Sequence, residues 1–533
     1  MDTPSSLRRS LLKAALVAPA LPLLNACKND STTSNNLLPG EPAPTPSPTP
    51  GQPIVKPELP PNIGVRGSHN PRGMHVSLLN DSHKSRGISW FTDRNDGQDA
   101  PAAIVQWSHI DPNWSEADTL NIVDHPFSNT IFADSTPTTG VNAQTHKASL
   151  QLNKPELGIR YRVGSDEGGW SPIFTVPASA KTSDTWHFVH FGDHGVGPLA
   201  QRLTAELTKP QYHHDLLLLA GDISYADGNQ PIWDTWFDQN QSLVASTVTM
   251  AVPGNHENKD DDPDSGFTVP LIDVALFRDY AFNNRFHQPG GVSFYGFDYN
   301  RIHFFGFSGG AFIEDGKILQ EIITMEASLA RAAVRRAAGL IDFIVVFQHY
   351  TVWTDQAGRG PGNPSLILVQ DQMMARYGVD LVLCGHDHVY QRSAPMVYGK
   401  RTPLGYVQVM VGTGGQSIRD FDDSIQGWSE KEFIGLGFCR YEVSPGLIKV
   451  NYFGSKGIDT PETPGGVGSQ LIEAMDVDED FELIDSFEVR PRQPRLANTF
   501  IKPARSATEL AKAYNWDAII AHTNMRNKHH DHA

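Results

Sequence analysis

With 533 residues, the chain is long enough for a large core and roughly two to four domains. Its composition is that of a soluble globular protein, 39% hydrophobic and 19% charged, and its 46 Gly and 38 Pro favour loops and strands over a helical bundle. With 43 Lys+Arg against 60 Asp+Glu the formal charge is −17, which argues against a nucleic-acid-binding surface; an anionic substrate would need a local attraction such as bound metal ions.

In chain order, Arg8-Arg9-Ser10-Leu11-Leu12-Lys13 resembles a twin-arginine export signal. The apolar stretch Ala14 to Leu24 follows, shorter than the roughly 17–25 residues of a membrane-spanning helix. Leu24-Asn25-Ala26-Cys27 resembles a bacterial lipobox, so residues 1–27 read as an export signal with Cys27 as the lipidation site. Residues 28–62 are rich in Ser, Thr, Asn and Pro and read as a disordered tether. The expectation from this leader is a protein exported by a bacterial cell. It would be a periplasmic or cell-surface lipoprotein held to the membrane through Cys27, or otherwise secreted.

Residues 63–178 read as a small antiparallel β-sandwich. Short segments such as Met74 to Leu78, Gly87 to Phe91, Ala103 to Trp107, His146 to Leu152, Ile159 to Val163 and Ile173 to Val176 alternate apolar and polar residues between turns. This region holds no cluster of ligand-type residues and is expected to pack or position. From about 179 the pattern changes to continuous apolar runs, Phe188-Val189, Leu216 to Ala220, Val248 to Val252, Phe343 to Phe347 and Leu381 to Cys384. Helical patterns at Pro198 to Thr208 and Glu321 to Ala338 lie between them. Buried strands with intervening helices predict a layered α/β domain over 179–490, with its site at the carboxyl ends of the strands.

Those strand ends carry ligand chemistry. They read Gly192-Asp193-His194-Gly195, Gly221-Asp222-Ile223-Ser224-Tyr225, Gly254-Asn255-His256-Glu257, Gln348-His349-Tyr350 and Gly385-His386-Asp387-His388-Val389-Tyr390. Carboxylate, amide and phenolate oxygens combined with imidazoles suit Fe, Zn or Mn, whereas calcium would use oxygen alone. The glycines before Asp193, Asp222, Asn255 and His386 allow tight turns and close backbone approach. His386 and His388 are two apart, so an extended segment points both to one side.

Residues 63 to about 455 resemble the purple acid phosphatases within the calcineurin-like metallophosphoesterases, through the set GD-x-G, GD-x-x-Y, GNH-E, H and GH-x-H-x-Y. The resemblance implies a two-domain α+β chain, with a fibronectin-type III-like sandwich (Tyr161-Arg162-Val163-Gly164 and Trp170-Ser171 match its end) before the metallophosphoesterase domain. It implies that Asp193, Tyr225 and His388 bind Fe(III), that Asn255, His349 and His386 bind a divalent Fe, Zn or Mn, and that Asp222 bridges them. General metallophosphoesterases have D-x-H in the first motif; here Gly195 stands at that His position and Tyr225 replaces the ligand, the mark of the purple type. The chain departs from the family in one stretch. Plant-type members have a His-His pair after the fourth-motif His and mammalian-type members a Glu-His, but Thr351 to Cys384 contains no His. Asp355, Gln356 and Arg359 stand there instead, and Asp355 and Arg359 are the candidates for binding substrate.

The function implied is hydrolysis of phosphate monoesters by a metal-bound hydroxide, with His256 stabilising the transferring group or protonating the leaving alcohol. The alternatives are a phosphodiesterase acting on nucleotides or phospholipid head groups, and a non-catalytic surface-binding protein with a vestigial site. The substrate would be a small phosphate ester and no nucleic acid is expected as partner. His187 and His190 read as core residues, Asp227 as a turn residue, and Cys384 and Cys439 as buried small hydrophobes. Asp476 to Asp480 reads as a solvated acidic loop. Residues 491–533 read as an extension with a short helix, opened by the capping box Ser506-Ala507-Thr508-Glu509, and a His-rich tail at His529 to His532. Gly412 to Gly415 reads as a tight turn near the site.

Overall fold

The apolar runs become strands buried on both faces, and the parity of their side chains shows how. Val345, Phe347, Leu381 and Leu383 belong to one hydrophobic core, while Ile344, Val346 and Val382 belong to another. Successive residues in a strand point to opposite faces, so each of these strands separates two cores. The computed structural model describes residues 70–93, 103–138, 143–226, 230–257, 282–291, 293–308, 317–359, 362–363, 366–422, 426–455, 480–492, 504–506 and 509. The chain divides into two units, Met1–Pro61 and Asn62–Ala533. The first lies outside the described residues, and with it the export signal, Cys27 and the tether.

Among the described residues, two large sheets form the centre. In one, Trp186–Phe191, Leu216–Leu219 and Val248–Ala251 pair in parallel, flanked by the antiparallel strands Gly437–Ser444, Leu447–Ser455 and Phe481–Val489. In the other, Ile302–Phe307, Phe343–Gln348, Leu381–Cys384 and Val407–Val411 are parallel, with Tyr295–Tyr299 on one edge and Tyr390–Ser393 and Ser429–Phe433 on the other. Phe188 meets Phe304 edge-on at 5.5 Å and Trp186 lies 4.7 Å from Tyr299, so the two sheets share the inner core. Helices cover the outer faces. Pro198–Leu207 starts with Pro after the cap residue Gly197 and buries Leu199, Leu203 and Leu207 at four-residue spacing. Lys317–Ala337 buries Ile322, Met325 and Leu329 against the second sheet. Both helices fall close to their predicted spans.

The N-terminal strands fall at the expected segments, but Arg72–Ser77, Ser85–Asp93 and Ile159–Ser165 are buried along nearly their whole length rather than on alternate residues, and one connection was not expected. Arg72–Ser77 pairs in parallel with Val248–Ala251 through Val76 and Val248, so Arg72–Ser77, Ser85–Asp93, Ala143–Gln151 and Asp134–Pro137 extend the first central sheet to ten strands. Asn129–Phe132, Ile104–His109, Ile159–Ser165, Gly169–Trp170 and Phe174–Val176 form a separate five-stranded sheet. A one-turn helix, Glu116–Leu120, has a capping box at Ser115 and Asp118, although the sequence showed no helical period there. This N-terminal region also grips the segment after the third ligand turn. Lys147 Nζ donates to the carbonyls of Asn283 and Phe286, the latter at 2.8 Å, and Ser77 Oγ donates to that of His287. The buried His75 ring faces the carbonyls of Gly73 and Arg285 at 2.8 and 3.1 Å.

Other expectations fall as follows. His190 is fully buried, His187 is half-buried, and Cys384 and Cys439 are buried free thiols. Ser506 and Glu509 make the reciprocal capping hydrogen bonds, and Arg505 beside them forks onto the buried Glu326 at 2.8 and 2.9 Å. Asp227, residues 476–479 and the tail at His529 to His532 lie outside the described residues.

Candidate metal centre

Every central parallel strand named in the sequence delivers its turn to one place between the two sheets. Four of the side chains there sit on left-handed backbone, a conformation that costs a non-glycine residue about 1–3 kcal/mol: Asp193 (φ 60), Asp222 (φ 48), Tyr225 (φ 56) and His386 (φ 70). Of the glycines before the ligand residues, Gly221 is itself left-handed (φ 80), and the others serve the close backbone approach expected of them. Gly254 is needed for closeness, since a Cβ on it would lie 2.1 Å from Asp222 Oδ1.

Two groups of ligand atoms result. In the first, Asp193 Oδ1, the Tyr225 hydroxyl and His388 Nε2 are each 3.1 Å from the other two. In the second, His349 Nε2 lies 3.1 Å from Asn255 Oδ1, 3.2 Å from Asp222 Oδ2 and 3.2 Å from His386 Nδ1. Two atoms each about 2.0–2.2 Å from one ion and at right angles to it stand about 3 Å apart, so both groups have the spacing of ligands around a cation. The groups touch, because the His386 amide donates to Asp193 Oδ2 at 2.7 Å.

Their chemistry asks for positive charge. His349 Nδ1 faces the Ala220 carbonyl at 2.8 Å and must donate to it, which leaves Nε2 as a lone pair aimed at two oxygens and a nitrogen. Burial pulls the His349 pKa down, but the carboxylates of Asp222 and Asp193 outweigh it and raise the pKa to about 9. A proton is held where a metal ion would sit. Burial raises Asp222 but the positive charge of His349 and His256 holds it well below the usual carboxylate range. Burial, then Asp193 and Asp222, pushes the Tyr225 phenol far up. Asp222, His349 and His386 thus form a metal-binding site.

His194 is excluded from this centre. Its ring takes the Trp236 indole N–H at 2.9 Å and faces the Ala200 carbonyl at 3.1 Å, within the helix packing. Gly195 makes room in the corner that Tyr225 fills, since a Cβ there would lie 2.4 Å from Gln416 Oε1 and 3.6 Å from the Tyr225 ring. The Gly412 to Gly415 turn does reach the site, with Gly414 and the following Gln416 donating to the Gly192 and Asp193 carbonyls, both at 3.0 Å.

At the mouth, the half-buried His256 ring lies 4.2 Å from that of Tyr225, and its amide donates to Asp222 Oδ1 at 2.8 Å. Arg359 Nη1 is 3.0 Å from His386 Nε2. Asp355, the other candidate for binding substrate, is not brought here, and that expectation is corrected. It is 3% exposed and its carboxylate takes Gln391 Nε2 at 2.9 Å and the Gln426 amide at 3.3 Å.

Sequence reasoning missed several supports. The Glu257 carboxylate accepts the amides of Asp222 (2.7 Å), Ile223 (2.8 Å) and Gly254 (2.7 Å), which clamps two ligand turns together. Burial, with Asp222 adding to it, pushes the Glu257 pKa up to about 7. Ser417 Oγ fixes the far nitrogen of His388, and Gln356 Oε1 holds the His388 amide at 2.7 Å. The Tyr350 ring packs tilted against that of His386, 4.5 Å between centroids.

A layered α/β core whose strand ends converge on adjoining carboxylate and imidazole groups defines a metal-binding metallophosphoesterase fold. Residues 187–390 match the family described as calcineurin-like phosphoesterase. Purple acid phosphatase 21 of Arabidopsis thaliana is 27% identical over 282 residues, 51% of this chain and 59% of that protein, and acid phosphatase type 7 of Homo sapiens is 26% identical over 56% of this chain and 71% of its own. The chain thus spans about three-fifths of the first of these relatives. Among solved structures, purple acid phosphatase PPD1 from yellow lupin seeds has the same fold, with a TM-score of 0.59 at 18% identity over 79% of this chain and 74% of that one. The chain is a purple acid phosphatase-like member of the calcineurin-like metallophosphoesterase superfamily.

One expectation is overturned by these relatives. They are plant and human proteins, not bacterial periplasmic ones, so the placing of this chain as an exported bacterial lipoprotein is withdrawn. Nothing found supports a lipid anchor at Cys27. No helix among the described residues is long and apolar enough to cross a membrane.

Proposed function

We propose that the chain hydrolyses phosphate monoesters at a two-metal centre, in which Asp193, Tyr225 and His388 would hold Fe(III), Asn255, His349 and His386 would hold a divalent Fe, Zn or Mn, and Asp222 would serve both. The observation that carries this reading is the pair of adjoining ligand groups with edges of 3.1–3.2 Å. Asp222 acts electrostatically on both Tyr225 and His349, as a group between them must. A phenol oxygen in the corner that Gly195 leaves open supports iron there. Bound metals would supply Lewis acidity and a water acidic enough to ionise near neutral pH.

The chain's own residues do the rest. Glu257 and the strained turns preset the ligand geometry, so no reorganisation is needed when phosphate enters. His256, fixed by its amide on Asp222 and its ring on Tyr225, is placed at the mouth to hand a proton to the leaving alcohol. The N-terminal region, 63–178, is read as a fibronectin-type III-like module ahead of the catalytic domain, 179–490. Its first, second and sixth strands share one sheet and its third, fourth and seventh another, which supports that reading.

The test is steady-state kinetics of the metal-loaded protein on p-nitrophenyl phosphate and bis(p-nitrophenyl) phosphate. The proposal expects kcat/KM for the monoester to be the higher by about tenfold or more. A preference for the diester would favour the phosphodiesterase reading, and two bound metals without hydrolysis of either would favour a vestigial site.

A further inference from the structure

The segment that lacks the family's histidines still places a cation beside the centre. Between Thr351 and Cys384 there is no His, yet the turn at 354–359 touches both histidines of the last ligand motif. Gln356 Oε1 holds the His388 amide at 2.7 Å, and Arg359 Nη1 stands 3.0 Å from His386 Nε2. The turn is strapped down along its length. The Ala357 amide donates to the Asp420 carbonyl at 2.9 Å, the Asp422 amide to the Asp355 carbonyl at 2.9 Å, and the Arg359 amide to the Gln356 carbonyl at 3.0 Å.

The Arg359 side chain is 27% exposed, whereas His349 and Asp222 are 0% and 2% exposed, so the guanidinium lies toward solvent relative to the ligands. What holds it is Asp387, the residue between the two ligand histidines. Asp387 is buried, with a side chain only 1% exposed; its Oδ2 takes the Thr351 hydroxyl at 2.6 Å, and its Oδ1 lies 3.6 Å from Arg359 Nε without a hydrogen-bond partner. A carboxylate in that position needs a cation close by, and Arg359 is its ion-pair partner.

We propose, resting on the phosphoester reading above, that Arg359 binds a non-bridging phosphoryl oxygen of the substrate and that Asp387 is the positioning residue that aims it. A guanidinium offers five N–H donors in a planar fork that matches phosphate, and its charge does not titrate in the range where proteins are folded. Arg359 flanks the His386 side of the centre and His256 the Tyr225 side, so an entering phosphoryl group meets a fixed cation at one flank and the proton donor at the other.

Inorganic phosphate binding to the metal-loaded protein, read by calorimetry with the metal content of each variant measured, tests this without relying on turnover. Arg359→Ala should weaken phosphate binding about 10- to 100-fold and Arg359→Lys should recover part of the loss, having charge but no fork. Asp387→Asn should weaken it less, and adding it to Arg359→Ala should cost nothing more, because its effect runs through the arginine. Phosphate affinity within twofold of the parent in Arg359→Ala would overturn the proposal. So would loss of metal from both Arg359 variants, which would make the arginine a support for His386, or a full Asp387→Asn effect in the Arg359→Ala background. Arg359-dependent phosphate binding in a protein that hydrolyses no ester would sink the hydrolase reading and leave this one standing.

Discussion

Replacing Glu257 by glutamine puts the preset geometry under test at one atom pair. Its carboxylate receives three buried amides: those of Asp222 and Gly254 on Oε2 and that of Ile223 on Oε1. Glutamine fills the same volume, but only its carbonyl oxygen accepts. If that oxygen keeps Asp222 and Gly254, the amide NH2 is driven against the Ile223 N–H, donor against donor. One charge-assisted bond is lost, worth about 1.5–3 kcal/mol, and one buried donor is orphaned at about 1–3 kcal/mol. Some of that cost is recovered by burying an amide in place of a charge, so a net loss of roughly 2–5 kcal/mol is expected. The damage should also reach the ligands, because the turns carrying Asp222 and Asn255 are the ones Glu257 joins. Disturbing a group that orients ligands typically costs about 10–100-fold in metal affinity. Chelator competition measures that affinity, and chemical denaturation of the metal-free protein measures the stability. A Glu257→Gln protein with parental stability and metal affinity within twofold would refute the claim that this carboxylate clamps the site.

Further outcomes follow from the same structure. With iron loaded, Tyr225→Phe should lose the visible charge-transfer band of a phenolate on Fe(III), while Asn255→Ala, in the other ligand group, should keep it; a band that survives Tyr225→Phe would remove the phenolate. Stability should fall steeply with acid. His75, His214 and His287 are each pushed from 6.5 to about 4 by burial. A base whose folded pKa is depressed contributes stability that is present above its unfolded pKa and lost as pH falls through the folded one. Between pH 7 and pH 5 each should therefore remove about 2 kcal/mol, roughly 6 kcal/mol for the three. Denaturant midpoints of the metal-free protein measured from pH 7 to pH 5 check this, and a flat profile would contradict it.

The ligand turns were legible because each is local. An apolar strand, a glycine and a polar residue lie within a few positions, and Gly195 at the family's His position was enough to leave the corner to Tyr225. What was not legible is what depends on distant backbone. Glu257 sits inside a motif, but two of its three contacts are amides 34 and 35 residues upstream. Asp355 was placed by its distance along the chain from His349, which gives no direction. The strap to Asp422 and the bonds to Gln391 turn it into the protein, while Arg359, four residues on, reaches the site. In the N-terminal region alternation gave strands such as Ser85–Asp93 and Ile159–Ser165. It could not give the pairing of Val76 with Val248, which joins residues 172 apart and makes Ser85–Asp93, though not Ile159–Ser165, part of the central sheet. Asn129–Phe132 and Asp134–Pro137 bury too little to alternate, so they left no pattern to read.

The central claim is that two metal ions share Asp222, and counting metals per chain tests it most directly. Elemental analysis of the purified, metal-reconstituted protein should find two ions per chain in the parent, one in Asn255→Ala, and none retained tightly in Asp222→Ala. Two ions kept in Asp222→Ala, or a single ion in the parent under saturating metal, would contradict the account.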